Sequence, residues 1–550
     1  MSASSKKLFR KEQKAAEMTE RQLKEQKEAK KLKAYTITFS IVMVLVLVLA
    51  LCIAGFTAFN NSGIAQRNTL ALTIGDHQLN NADLNYFFVD EVYEYYNYMA
   101  DQFGDYTSIY LQMMGLDFTK PLDEQVYDEA NNLTYADYFS DLAVKQAAID
   151  YETYVLANRA PTESEQSLID STVAALDSYA EQTGYSSGKA YLKSLYGPGA
   201  TLENYRNYLT VQAIVQAYRT EKYDSFTYEP DDIETYNHEN YDDFSSFSYV
   251  SFYINADDHL DCTAEEGDTD HTHTEDEKAA ALKAAEAAAN SLLSAGIVDG
   301  ETMDAAIKNL DAYADSTTAK SSTYTNLLYT QIPDGDAVAE WLADDRIPGE
   351  IGVVPYIDPN AEDEESASVL GYYVVLLLSR TDNMTQLVDA RHILISFKGG
   401  VTDSSGQTVY SEAEKQTALA ELNIIKDAFF QDPSEENFSK LASTYSTDPG
   451  SKNNGGLYEG IYPGQMVTAF NDWCFDTVRE PGDCDVVETE YGYHLIYFVK
   501  RQDTTYRDFL IETTLRNADY ETWFASIEES VKYTTNDLSK LSRNFILSNQ

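Results

Sequence analysis

Cysteine is scarce in this chain: four residues in 550, too few for a disulfide framework. Cys52 falls in an apolar run and Cys262 in an acidic stretch. Cys474 and Cys484 are close enough to pair, but nothing in the sequence requires it, so buried free thiols are expected. Positive charge is scarce as well. Forty Lys and Arg stand against ninety Asp and Glu, a formal net charge of −50. So acidic a surface argues against nucleic acid as a partner, because phosphate recognition rests on Lys and Arg. It suits a protein that stays soluble beside unfolded polypeptides, although an ordinary solvated face explains it equally. Charge is missing altogether from one stretch, Ala34 to Phe59, which includes Ile41-Val42-Met43-Val44-Leu45-Val46-Leu47-Val48-Leu49. A run of about 20 such residues is long enough to span a bilayer.

Residues 1–33 carry eleven Lys and Arg against five Glu, and a basic flank belongs on the cytoplasmic side. The expectation is a cytoplasmic basic segment (1–33), an uncleaved transmembrane helix (34–59), and main domains outside the plasma membrane. A cleaved signal peptide normally has a shorter apolar region and a small-x-small cleavage site. A lipoprotein needs a small residue just before its Cys, whereas Leu51 precedes Cys52. At 550 residues several domains are expected, since single cores rarely grow past about 250–300 residues.

Histidine is the third scarcity. Of seven, two bracket a single stretch of sequence, His392 and His494. Each borders an apolar β-like run, Ile393-Leu394-Ile395 and Leu495 to Val499, and pairing of those runs brings both imidazoles to one sheet face. Between them lie Tyr445-Ser446-Thr447-Asp448, a Gly455-Gly456 turn, and Gly464 to Phe470, in which Met466 and Phe470 share a face if that stretch is helical. Thr489-Glu490-Tyr491-Gly492-Tyr493-His494 closes the series.

These four ordered motifs resemble the parvulin-type peptidyl-prolyl cis-trans isomerases over roughly residues 386–502. The resemblance implies His392 and His494 behind the catalytic centre, Asp448 beside the substrate carbonyl, Met466 and Phe470 as walls of a proline pocket, and Thr489 hydrogen-bonded to the second histidine. No cofactor and no metal are implied. One departure stands out: the family usually reads Gly-Gly-Asp-Leu-Gly where this chain has Gly455-Gly456-Leu457-Tyr458-Glu459-Gly460. That changes one wall of the pocket.

Residues 244–381 repeat the pattern. Ala337 to Trp341 parallels Ala469 to Trp473, Arg346 to Glu350 parallels Arg479 to Asp483, and Gly371 to Val375 parallels Gly492 to Ile496. Such self-similarity marks an internal duplication. The copy has Tyr373 where the second histidine falls and Ser251 where the first falls, so it reads as catalytically silent. Its acidic insertion contains His259, Cys262, His271 and His273. These are ligand types suited to zinc or copper, but they lack a rigid supporting shell and are read as an exposed loop.

Residues 72–243 open with two β-like pieces about a turn (Leu72 to Leu79) and continue as helices. One helix is signalled by Thr162 and Glu165 as a capping box, another by Tyr205, Tyr208, Val211, Val215 and Tyr218. This part resembles the chaperone domain of the SurA and PrsA class. In that class a segment after the isomerase domain folds back to complete the chaperone domain. Residues 503–550, with an apolar stripe from Tyr506 to Ile527, fit that return. The expected fold class is α+β multidomain: a transmembrane helix, a mainly helical chaperone domain completed by a C-terminal helix, and two parvulin-like domains, the first degenerate. The implied partners are unfolded or partly folded secreted proteins with X-Pro bonds, and a homodimer is left open. A non-catalytic holdase or scaffold with a vestigial site is the alternative.

Overall fold

The computed structural model describes residues 4–8, 43, 59, 61–260, 273–359, 368–402, 406 and 408–547. Nearly all of the expected membrane span lies outside them. No helix among the described residues is long and apolar enough to cross a membrane. The chain divides into two compact units, residues 1–226 with 519–550, and residues 227–518.

In the first unit, strands Leu70–Ile74 and His77–Asn80 pair antiparallel about a turn at Gly75, whose φ of +52° is a left-handed conformation. Asn80 caps the helix Asn81–Phe103: its side chain accepts from the Ala82 and Asp83 amides, and Asp83 answers from Asn80 N–H. Helices Tyr135–Ala157, Glu163–Gln182, Gly188–Tyr196 and Leu202–Asp224 follow. Thr162 and Glu165 form the capping box that the sequence signals.

The other edge of the opening hairpin is occupied from the far end of the chain. Strand Tyr533–Thr535 pairs with Leu70–Ile74, Leu72 opposite Thr535. Beyond it, Leu541 and Leu547 are buried in the same core as Leu72, Phe88 and Phe139. The buried Asn81 amide donates to Asp537 O at 2.7 Å, and Asn85 accepts from Ser542 N–H at 2.8 Å. This strand and tail are absent from the sequence expectation, which foresaw a returning helix.

The helix itself, Tyr506–Ser530, is divided. Its first turns are counted with the second unit, where Leu510, Ile511 and Leu515 pack with Ile233 and Phe244. Its last turns belong to the first, with Trp523 against Tyr218 and Tyr520 against Tyr223. Residues 227–243, expected with the chaperone domain, likewise fall in the second unit, because Ile233 and Phe244 lie in that same cluster.

The second unit contains two four-stranded antiparallel sheets of one topology. The first runs Ser322–Leu328, Ser246–Asn255, Val369–Thr381, Ile351–Ile357. The second runs Leu457–Ile461, Gln386–Ser396, Gly492–Thr505, Cys484–Thr489. Details repeat as well. Gly349 N–H donates to Leu377 O at 2.8 Å, and Gly482 N–H to Phe498 O at 2.9 Å. The Arg346 guanidinium lies 5.0 Å from the Trp341 ring centre, and that of Arg479 4.4 Å from Trp473. In the second sheet one face (Ile393, Ile395, Leu495) packs with Leu422, Phe429 and Phe438. The other face (Ala390, Ile496, Phe498) packs with Phe470 and Trp473. The alternation of strand side chains puts the histidines on this second face. Cys474 is buried and Cys484 only half-buried, both as free thiols that burial pushes up to about 12.

Candidate active site

His392 stands opposite Ile496 in the sheet, and His494 opposite Leu394. The two are therefore diagonal neighbours on one face, close enough for side-chain contact. Their rings are nearly parallel, 15° apart, with the two Nδ1 atoms 2.9 Å from each other. Both are about 5% exposed or less. On the outer side of each histidine stands a polar partner. Asp448 Oδ2 is 2.9 Å from His392 Nε2, and Thr489 Oγ1 is 2.8 Å from His494 Nε2.

Asp448 is placed by the loop after the helix Glu435–Tyr445. Strand pairing with Leu457–Ile461 reaches only to Arg391, which leaves the Leu394 backbone without a strand partner on that side. The loop supplies one. Ser446 Oγ accepts from Leu394 N–H at 3.2 Å, and Thr447 N–H donates to Leu394 O at 2.8 Å. Satisfying these buried backbone groups fixes the Ser446-Thr447-Asp448 run against the histidine strand. Gly456 serves the other side. Its carbonyl accepts from His392 N–H at 2.8 Å, its φ is +76°, and a Cβ there would meet His392 O at 2.3 Å. Only glycine fits that approach.

Met466 and Phe470 flank the histidines. Phe470 presents an edge to both imidazoles at 5.5 Å. The helix begins at Thr468, so Met466 is held by the preceding turn rather than by the helix face expected from its spacing. That turn is closed by Gln465 N–H donating to Tyr462 O and by Asn471 accepting from Gly464 N–H. The six residues singled out in the sequence thus come together at one place. All except Thr489 line a cavity of about 540 Å³.

Two residues of the site were missed. Ser451 donates both its N–H and its O–H to Asp448 Oδ2, and Tyr458 donates its hydroxyl to the same oxygen at 3.2 Å. Tyr458 lies in the segment Leu457-Tyr458-Glu459 that departs from the family pattern after the two glycines, and that departure was the available signal for it.

Protons follow from the geometry. His392 holds the Asp448 carboxyl well below the usual carboxylate range, assisted by Ser451. An ionised carboxylate only accepts, so His392 Nε2 carries a hydrogen toward it. The two Nδ1 atoms, 2.9 Å apart, need one hydrogen between them; with the His392 hydrogen on Nε2 it sits on His494 Nδ1, which leaves His494 Nε2 to accept from Thr489 Oγ1. The result is a directed chain from Thr489 through both rings to Asp448. Among the described residues it leaves Asp448 Oδ1 with a single partner, Gly450 N–H at 3.4 Å.

Burial, then His392, pulls His494 down to about 3 from 6.5. The unfolded chain therefore binds a proton between these values that the folded chain refuses, and stability falls as pH drops through that window. About 2 kcal/mol is expected to be lost between pH 7 and pH 5, as a lower denaturation midpoint of the second unit. The His494 ring resonances should stay those of a neutral imidazole down to pH 4. Protonation near pH 6.5 would contradict the described network.

The first copy keeps the frame and changes the contents. Ser251 lies opposite Val375 and Tyr373 opposite Tyr253, the same diagonal that His392 and His494 occupy. Asp334, two residues before the helix Asp336–Ala343 as Met466 is before its own, is buried and accepts from Ser251 Oγ at 2.6 Å and Tyr249 O–H at 3.0 Å. A carboxylate bonded to the serine thus replaces the apolar wall. In the acidic insertion, Cys262 and His271 lie outside the described residues. Among those described, no group of three His, Cys, Asp or Glu could hold a metal.

Residues 373–502 match the family model of the PPIC-type PPIASE domain. The Foldase protein PrsA of Geobacillus sp. (strain WCH70) is 41% identical over 68 residues, 12% of this chain and 24% of that protein. The Chaperone SurA of Hahella chejuensis (strain KCTC 2396) is 22% identical over 205 residues, 34% of this chain and 43% of that protein. The matched part thus spans less than half the length of either relative. Among solved structures, PrsA from Bacillus subtilis aligns over 76% of this chain and 97% of its own, at 14% identity and a TM-score of 0.26. Residues 373–502 thus match the PPIC-type, or parvulin, peptidyl-prolyl cis-trans isomerase domain, in a chain similar to the PrsA and SurA foldases.

Proposed function

We propose that this chain is a foldase: a peptidyl-prolyl cis-trans isomerase and chaperone for secreted or cell-surface proteins, anchored by residues 34–59 on the outer face of the plasma membrane. The observation that carries the isomerase reading is the Thr489–His494–His392–Asp448 chain beside the Met466 and Phe470 walls. Rotation about an X-Pro bond breaks amide resonance at a barrier of about 18–20 kcal/mol. Catalysis requires that the twisted amide be bound better than the planar one. The planar carbonyl oxygen carries partial negative charge that twisting removes. A carboxylate facing it disfavours the planar state, and Asp448 Oδ1 is available for that position. Met466 and Phe470 grip the proline ring while the rest of the bond turns. The two histidines hold Asp448 ionised and oriented. The first copy, with Asp334 bonded to Ser251, is read as silent. Catalysed exchange of a cis-trans X-Pro peptide by the full-length chain tests this reading, and a rate no faster than the uncatalysed one would end it.

The first unit supports the chaperone half. Tyr98, Tyr106, Ile109, Met113, Val126 and Tyr127 are between 48% and 77% exposed. Tyrosine and methionine give broad, adaptable contact, which suits many unfolded segments. The same exposure favours the holdase alternative, so both activities need measuring. For topology, protease added outside intact cells is expected to digest residues beyond about 65 and spare the first 33, as the basic flank requires. Release of a soluble protein lacking residues 1–59 would mean a cleaved leader.

A further inference from the structure

Among the described residues, the Asp, Glu, Lys and Arg side chains that line the cavity are two carboxylates, Asp448 and Glu490, with no Lys or Arg. They are not in the same state. Asp448 Oδ2 is enclosed by donors from His392, Ser451 and Tyr458. Glu490 is exposed, and none of the described hydrogen bonds or ion pairs engages it. Its position is nevertheless fixed. It lies in the turn between strands Cys484–Thr489 and Gly492–Thr505. Thr489 Oγ1 accepts from Tyr491 N–H at 3.2 Å while also meeting His494, and Tyr491 O accepts from Phe397 N–H at 3.2 Å. The residue that steadies the second histidine thus also sets the rim on which Glu490 stands.

Aromatic rings share that lining: Tyr491, 59% exposed, with Phe397, Tyr410 and Tyr458. A carboxylate beside aromatic faces is a favourable environment for a cation. Three cations of this domain have carboxylate partners other than Glu490: Lys415 pairs with Glu488 at 2.7 Å while lying 5.6 Å from the Phe397 ring centre, Arg391 pairs with Glu435 at 2.9 Å, and Lys398 lies 3.7 Å from Glu421. Over residues 386–502, nine Lys and Arg stand against eighteen Asp and Glu, so the domain carries a net negative charge.

We infer that Glu490 makes the site selective for X-Pro segments carrying Lys or Arg next to the proline, and against those carrying Asp, Glu or a phosphorylated residue there. This rests on the isomerase reading above and names the substrate class of that same site.

The test uses the full-length chain and short peptides with Leu, Lys or Glu before proline, then after it. Exchange is followed by NMR without a coupling protease. Catalysis of the Leu peptide reads the isomerase itself. At low salt, kcat/KM for the better-placed Lys peptide is expected to exceed that for its Glu counterpart by about tenfold, mostly through KM, as rim charges act on encounter and are screened by salt. The ratio should shrink toward about twofold in 0.5 M salt. Glu490→Gln should collapse it at low salt, and Glu490→Lys should invert it. Circular dichroism confirms that each variant is folded, and if Glu490→Lys is not, the conservative Gln variant decides. Equal rates for Lys and Glu peptides at both positions, with the Leu peptide turned over, overturn the selectivity and leave the isomerase standing. A ratio unchanged in Glu490→Gln removes Glu490 as its cause. No turnover of any peptide overturns the isomerase reading and this inference with it.

Discussion

Asp448→Ala is expected to lower kcat/KM on an X-Pro peptide at least tenfold, equivalent to about 1.4 kcal/mol of transition-state stabilisation. Two effects combine. The carboxylate facing the substrate oxygen is lost, and the proton chain loses its acceptor. Removing Asp448 also strips the partner from Ser451 and Tyr458 hydroxyls that now meet its Oδ2. A buried donor left unpaired costs about 1–3 kcal/mol, so some loss of stability should accompany the loss of rate. Tyr458→Phe separates the two. It removes one of the donors at Oδ2 and leaves the carboxylate in place, so its rate loss should be much smaller. Met466→Ala should raise KM more than it lowers kcat, by loosening the ring grip. Wild-type-like kinetics in a folded Asp448→Ala chain would remove the carboxylate from the mechanism.

The second large effect is structural. Ending the chain after Ser530 deletes the edge strand Tyr533–Thr535 and the buried Leu541 and Leu547. It also breaks the Arg543–Asp137 pair and the Asn81 and Asn85 hydrogen bonds to the tail. Burying each leucine is worth about 1.5–3 kcal/mol. With the lost strand and polar contacts, the total matches the whole stability of an ordinary domain, about 5–15 kcal/mol. The first unit is therefore expected to lose cooperative unfolding and client-aggregation suppression while X-Pro exchange persists. The double variant Leu541→Ala, Leu547→Ala should weaken the unit in the same direction without shortening the chain. Aggregation suppression that survived truncation would move client binding to residues 227–518.

What could be read from the sequence was what local chemistry writes in one place. The histidine strands, the Thr162 cap and the duplicated Trp and Arg-x-Pro-Gly segments each declare themselves within a few residues. Ser451 did not: it meets Asp448 from only three residues on, but a serine after Pro449-Gly450 reads as an ordinary turn residue. Tyr533-Thr534-Thr535 is too short to show a period of two. Its partner strand is more than four hundred residues away in sequence, where no local pattern reaches. The i and i+4 spacing of Met466 and Phe470 puts them on one face only if the stretch is helical, and the helix begins at Thr468, so a turn hydrogen-bonded through Gln465 and Asn471 holds Met466 instead. The division of the Tyr506–Ser530 helix escaped notice because its apolar stripe is continuous while the residues packed against it change.

The Thr73–Asn536 contact joins residues 463 positions apart, and this separation fixes an order of assembly during synthesis. Strand Tyr533–Thr535 leaves the ribosome only after residues 386–502 have emerged complete. Loop closure over such a distance costs little free energy but much time. Prior folding of residues 227–518 shortens the span that must close. On a growing chain residues 386–502 can therefore be finished while the helical unit still lacks its third strand, so the part that carries the histidine site is folded before the unit that opens the chain is complete.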